Sequence, residues 1–393
     1  MKEFIIMMAS LMSIVAISID AMLPALGIIG ADLKIANPNH AQLIISCLFF
    51  GMMLGQIFAG PLSDALGRRK ILFIGLGIYM VGTIICYLSN SLEMILFGRV
   101  IQGIGVAGPY ITSVAVVRDK YSGRDMAKIM SMVMVIFIMV PAIAPSIGQG
   151  IMYIASWRGI FVLYICYSIL LITWLNFRLP ETLAPEKRIP FNFRNFVHGF
   201  GEIVKNRITV CYTVCMGITF GSLIGYLNSS QQIFQVQFQA GKMFAVYFGI
   251  LALIIGAASM VNSRIVQKFG MRFICKRAML SMTAASGIFL IVNLTIAEVQ
   301  LWMFLAYMAV MFFSFGLMFG NLNAIAMEPM GHIAGIASAL IGASSSIISM
   351  ILGTIIGQLY NNTLVPLTTG FAVLGLISLS FMLIAEGKKF ASE

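Results

Sequence analysis

Asp20 lies in the apolar stretch Ser18-Ile19-Asp20-Ala21-Met22-Leu23-Pro24-Ala25-Leu26 and is the only acid deep inside a long apolar run. Arg99, in Arg99-Val100-Ile101-Gln102-Gly103-Ile104-Gly105, is a cation embedded in another. A charge at the centre of a bilayer costs about 2.5 to 17 kcal/mol depending on method, so such groups persist where they perform a task. The chemistry open to this pair is proton relay. Loss of hydration and a neighbouring guanidinium pull a carboxylate's proton affinity in opposite senses, so a change in their separation loads or releases a proton. A tenfold change in affinity corresponds to about 1.4 kcal/mol, against about 2.3 kcal/mol per charge available from 100 mV. At 1.5 Å per residue, both groups fall on the order of 10 to 15 Å from the same face, within reach of one another.

The elements that must position them follow from composition. Of 393 residues, 60% are hydrophobic and 10% charged, where a soluble chain carries roughly 25% charged residues. A mean hydropathy of +0.97 excludes a water-facing surface over most of the molecule. Apolar runs broken by charge or turn residues predict twelve spanning helices, at 4–29, 41–61, 71–89, 93–117, 127–152, 157–178, 208–229, 243–263, 275–295, 299–322, 333–358 and 364–385. The first run, although preceded by Lys2, exceeds the 7–15 residues of a leader's apolar region and reads as a span. An even count places both termini on one side. Of the 25 cations only Lys34, Arg158 and Lys242 then fall on the opposite side, so the positive-inside rule puts the termini in the cytoplasm.

Several function classes drop out. The net charge of +11 sits between apolar blocks and not on a soluble basic face, which argues against nucleic acid. The six cysteines lack paired spacing, and the three histidines (His40, His198, His332) fall in expected loops. Neither disulfides nor a metal site is expected. No phosphate-binding GxxxxGK[ST] loop and no nucleophile–base–acid constellation occurs. An ion gradient is the remaining energy source; no enzyme activity and no cofactor are expected.

The polar connection from Arg178 to Arg207, with Pro180, Pro185 and Pro190, divides the chain into a bundle at 1–178, a linker at 179–207 and a second bundle at 208–393. A weak internal repeat supports duplication. GPLSDALGRRK at 60–70, after the second run, has a degraded counterpart, SRIVQKFGMRF at 263–273, after the eighth. Parallel repeats of this kind are one transporter architecture. Gly60 and Gly67 would let helix ends and a tight turn approach, Asp64 would cap or pair, and Arg68, Arg69 and Lys70 would hold the loop at an anionic surface.

That loop resembles the signature loop of the major facilitator superfamily. Arg99, Gln102 and Gly103 resemble the arginine-glutamine-glycine motif of its proton-coupled members. Pro141, Pro145 and Gly148 resemble the fifth-helix proline-glycine motif of its exporters, with Ala144-Pro145 where antiporters usually carry glycine-proline. Asp20 with Leu23-Pro24-Ala25-Leu26, Trp157-Arg158, and Leu179-Pro180-Glu181-Thr182 resemble the bicyclomycin-resistance branch of drug:proton antiporters.

The resemblance implies an all-α membrane protein of twelve transmembrane helices in two six-helix bundles. It further implies a monomer in a bacterial inner membrane, exporting drugs or small amphipathic, peptide-like compounds in exchange for protons by alternating access. Asp20, Arg99 and Gln102 would couple the proton; Gly60, Asp64, Gly67, Arg68 and Arg69 would gate; Pro141, Pro145 and Gly148 would bend helix five. Tyr110, Asn228, Gln231 and Gln232 are polar enough to orient a substrate among the 29 methionines and 29 phenylalanines. Gln267 in place of Asp64 argues against a symmetric second gate. A proton-coupled importer of a small metabolite, and a membrane sensor without flux, remain as alternatives.

Overall fold

The computed structural model describes residues 1–188, 193–296 and 298–387; Pro190 of the linker lies outside them. Twelve stretches are long and apolar enough to cross a membrane, and no strand occurs among the described residues. They fall into two compact units, Met1–Phe193 and Arg194–Glu393, with six spans in each.

In the first unit, α1 (Lys2–Asp20) ends where Pro24 forbids continuation of the helical ladder. A short 3-10 turn, Leu23–Ala25, intervenes before α2 (Leu26–Asp32) resumes the span. Four spans follow directly: α3 (Leu43–Leu66), α4 (Arg68–Tyr87), α5 (Leu92–Lys120) and α6 (Gly123–Ile154), and then α7 (Arg158–Arg178). Pro141 and Pro145 fall inside α6, which runs through both without interruption.

Helix α5 is gripped between α3 and α4. A Cβ on Gly103 would occupy the position of the Leu48 carbonyl oxygen, and one on Gly51 that of the Val100 carbonyl oxygen. Backbone therefore touches backbone, the close packing that small residues permit when helices associate in lipid.

The second unit opens with α8 (Phe193–Lys205), followed by α9 (Arg207–Gln231), which ends in a π-helical turn, Gln232–Gln237. Its other spans are α10 (Phe244–Phe269), α11 (Met271–Thr295), α12 (Leu301–Met327), α13 (Ala334–Gln358) and α14 (Val365–Glu386). Helix α9 packs on α13, and α12 lies against α10, where a Cβ at Gly316 would come 2.5 Å from the Ile255 carbonyl oxygen.

Candidate functional site

The break after Asp20 leaves a carbonyl without its helical donor. In an unbroken helix Met22 N–H would donate to Ser18 O; here it donates to Ile19 O at 3.2 Å. A carbonyl orphaned inside a bundle costs free energy unless another donor reaches it. Arg99 supplies one: Nη2 donates to Ser18 O at 2.8 Å, and Tyr164 Oη on α7 donates to the same oxygen at 3.3 Å.

The rest of the guanidinium is spread over two further helices. Its Nε donates to Ile44 O of α3 at 2.9 Å and its Nη1 to Gln102 Oε1 at 3.0 Å. Gln102 in turn donates through Nε2 to Thr83 Oγ1 (2.7 Å), whose hydroxyl donates to Tyr79 O (2.7 Å). Tyr79 Oη and Ser18 Oγ lie 2.6 Å apart, and Ser18 Oγ also donates to Ile14 O. Arg99, Gln102, Thr83 and Ser18 are fully enclosed. One fork thus ties α1, α3 and α5 together at the break, and Tyr79 and Tyr164 add α4 and α7.

Asp20 sits two residues beyond the gripped carbonyl and is 5% exposed. Among the described residues nothing forms a hydrogen bond or ion pair with its carboxylate. The Asp20–Arg99 pairing expected from depth does not form: Arg99 holds the backbone that carries Asp20 and leaves the carboxylate alone. Charges can be read from a sequence, whereas carbonyl acceptors carry no residue identity to read. Gly148 of the fifth-span motif packs on this break; a Cβ there would overlap the Ala21 carbonyl oxygen.

The 60–70 loop forms a second constellation. Gly67 turns the chain from α3 to α4 with φ +101°, a conformation that favours glycine. Arg68, only 3% exposed, donates through Nε to Asp119 Oδ2 at 2.8 Å, and through Nη1 to Asp64 Oδ1 at 2.5 Å and Ser63 Oγ at 3.1 Å. Glu181, beyond α7, accepts from the Arg68 and Arg69 amides at 3.0 and 3.1 Å and so caps α4. Arg69 reaches the Asn176 carbonyl and side chain. Gly60 needs no close approach: the nearest neighbour of a Cβ there is 3.9 Å away. Asp119 and Glu181 went unread as partners because they lie 51 and 113 residues from Arg68.

The second unit carries a counterpart despite Gln267. Gly270 again has positive φ (+79°), and Arg272 donates to Glu386 Oε1 at 2.8 Å and to Glu328 Oε2 at 2.6 Å. The acid that Asp64 supplies in the first unit has no equivalent at Gln267; the partners of Arg272 come from the ends of α12 and α14. Of the polar candidates, Tyr110 lies in the first unit against Phe137. In the second, Asn228 Nδ2 donates to Gly353 O and Gln231 Nε2 to Gln235 Oε1, while Gln232 starts the π-helical turn. All three of these are buried.

A family model described as "Major Facilitator Superfamily" matches residues 4–354. The chain belongs to this superfamily. Among its superfamily relatives, it is 26% identical over 365 residues to a "Bicyclomycin resistance protein homolog" of Haemophilus influenzae, covering 93% of this chain and 91% of that one. It is also 26% identical over 385 residues to "Multidrug resistance protein MdtL" of Salmonella heidelberg, covering 96% and 94%. The superfamily fold is seen in a solved structure described as a D-xylose-proton symporter, with a TM-score of 0.74, 15% identity and coverage of 96% and 97%.

Proposed function

We propose that the chain is a proton-coupled secondary exporter that moves drugs or small amphipathic, peptide-like compounds against protons by alternating access. The observation that carries this reading is Asp20, a carboxylate buried in a span with neither counter-ion nor hydrogen-bond donor among the described residues. Such a group is neutralised at least cost by a proton, and its ionised form is tolerable only when water or a cationic substrate reaches it. Arg99, braced by Gln102, and Tyr164 hold the backbone on which Asp20 rides, so movement of α5 or α7 against α1 changes what faces the carboxylate. The relatives' names, bicyclomycin resistance and multidrug resistance, support efflux of small toxic compounds.

In the proposed cycle Asp20 releases its proton inward as substrate binds and regains one from outside as substrate leaves. The 60–70 loop, with its Asp64–Arg68–Asp119 cluster, opens and closes the inner side. The basic loops support an orientation with both termini in the cytoplasm, the relatives' organisms support a bacterial inner membrane, and in this reading the 1–178 and 208–393 bundles work as one monomer. Tyr110, Asn228, Gln231 and Gln232 remain candidate substrate contacts.

The test is proton movement in proteoliposomes under an imposed pH gradient, with a panel of drugs and small peptides. Substrate-dependent proton efflux that vanishes in Asp20→Asn supports antiport coupled at Asp20. Unchanged flux in the variant sinks the mechanism, and movement of substrate and protons in one direction replaces export with import.

A further inference from the structure

Among the described residues no span packs along the length of α8. Its hold on the second unit is a short face on its last two turns. The apolar part is Gly199 and Ile203: a Cβ at Gly199 would come 2.7 Å from Ile336 Cγ2 and 3.9 Å from Ile333 Cδ1, and Ile203 is buried. The polar part is Glu202. Its Oε2 lies 2.7 Å from His332 Nε2, and its Oε1 lies 3.1 Å from His198 Nδ1. One carboxylate thus meets two imidazoles. His198 stands one turn earlier on the same helix and fixes the carboxylate's orientation, whereas His332 belongs to the 3-10 segment Glu328–Ile333 that joins α12 to α13.

An ordinary glutamate is ionised above about pH 4.3, while an ordinary imidazole takes up its second proton near about pH 6.5. Above that pH a neutral ring N–H faces Glu202; below it the donor is a cation, and charge-assisted bonds are roughly twice as strong as neutral ones. Glu202 is half-buried and His332 exposed, so the gain is that of a surface pair, about threefold in the docked population. The other charged groups nearby are Arg194 and Lys205 on α8, Arg207, which donates to Ala385 O, and Glu328, which is held by Arg272. Helix α13 carries no titratable side chain. Of these groups only the two rings change charge between about pH 5.5 and 8 in their ordinary ranges.

The segment that carries His332 has Glu328 at its other end, and Arg272 joins Glu328 to Glu386 at the end of α14. Fastening His332 therefore steadies the ion-paired ends of α11, α12 and α14.

We propose that Glu202 and His332, with His198 holding the carboxylate in place, form an acid-tightened strap that draws α8 onto the α12–α13 segment and restrains the Arg272 cluster. In the exchange proposed above, protons delivered to the cytoplasm would tighten the strap and slow the cycle; that consequence rests on the proposed exchange, whereas the strap itself does not.

The test reads the strap alone. It uses the full chain with the half-buried Cys47 and exposed Cys166 replaced by serine, the other four cysteines being buried. Nitroxides are attached at Val204→Cys, an exposed position, and Gly331→Cys, where nothing lies within 4 Å of the new carbon. In lipid nanodiscs, where both faces meet the buffer, their dipolar coupling gives the distance distribution at about pH 8 and about pH 5.5. The long, undocked population is expected to fall about threefold on acidification. The response is expected to vanish in Glu202→Gln, and in His332→Gln, which keeps an N–H donor but takes up no proton. A distribution in the parent that is equal at the two pH values, or that lengthens in acid, overturns the proposal, as does a response that survives in His332→Gln.

Discussion

Replacing Arg99 by lysine separates two roles that a buried cation can play. If Arg99 acted by charge alone, lysine would serve, since it carries the same charge at similar length. The structure predicts otherwise, because the guanidinium donates in three directions, to Ile44 O, Gln102 Oε1 and Ser18 O, at 2.9, 3.0 and 2.8 Å. An ammonium group is a single point and cannot reproduce a planar fork. Taking one of the three bonds as retained, two charge-assisted bonds of about 1.5–3 kcal/mol each are lost. The low end applies, because Tyr164 Oη still reaches Ser18 O. The cost is then about 3 kcal/mol, or about 150-fold in the population of the competent arrangement. The assay is the initial rate of substrate-driven proton flux in proteoliposomes at matched protein density, with thermal unfolding in detergent measured in parallel. Both are expected to fall in Arg99→Lys. A rate within a factor of about 3 of the parent, with unchanged unfolding, would show that only the charge matters and refute the positioning argument.

Three further outcomes follow from the same geometry. Glu181→Ala uncaps α4 at a cost of about 1 kcal/mol, so trypsin cleavage after Arg69 is expected to quicken about fivefold; an unchanged rate would mean that water caps the helix equally well. Gly148→Val forces a side chain into the Ala21 carbonyl and is expected to cost about 1–3 kcal/mol or abolish a monodisperse product. Gly150→Ala on the same helix, where nothing lies within 4 Å of the new carbon, is the control and should melt no lower than the parent. In the second unit Glu386→Gln should lower the melting temperature more than Glu328→Gln, because their side chains are 13% and 51% exposed and exposed pairs contribute only about 0–1 kcal/mol. Equal shifts would contradict that ranking.

The twelve spans were legible because a membrane helix announces itself by one property summed over some twenty residues, which local errors do not disturb. Their ends were less so: the first two were read as 4–29 and 41–61, where the structure has Lys2–Asp32 and Pro38–Leu66. Gly67 was legible because a tight turn between two apolar runs requires a residue that accepts positive φ. Helix α8 escaped notice: thirteen residues in a proline-marked linker are too short for a hydropathy signal. Most of Arg99's partners were not legible. Two of the three are main-chain carbonyls, and Ser18 O became available only because Met22 N–H bonds elsewhere. Asp119, Glu181, Glu328 and Glu386 are ordinary loop or helix-end acids until folding carries them to Arg68, the α4 amides and Arg272. Gln102, by contrast, stands three residues after Arg99 on the same helix and touches it as that spacing requires.

The atom on which Arg99 and Tyr164 converge at the broken first span is a main-chain oxygen. Every amino acid carries one, so no codon change at position 18 can delete it, and small residues there forfeit only the hydroxyl shared with Tyr79. Inactivating alleles should instead gather at 99, at 164 and at Pro24, whose replacement would let the ladder close and reclaim that oxygen. A genetic screen for loss of the transporter would thus be nearly silent at the residue around which the junction is built and loud at the residues that surround it.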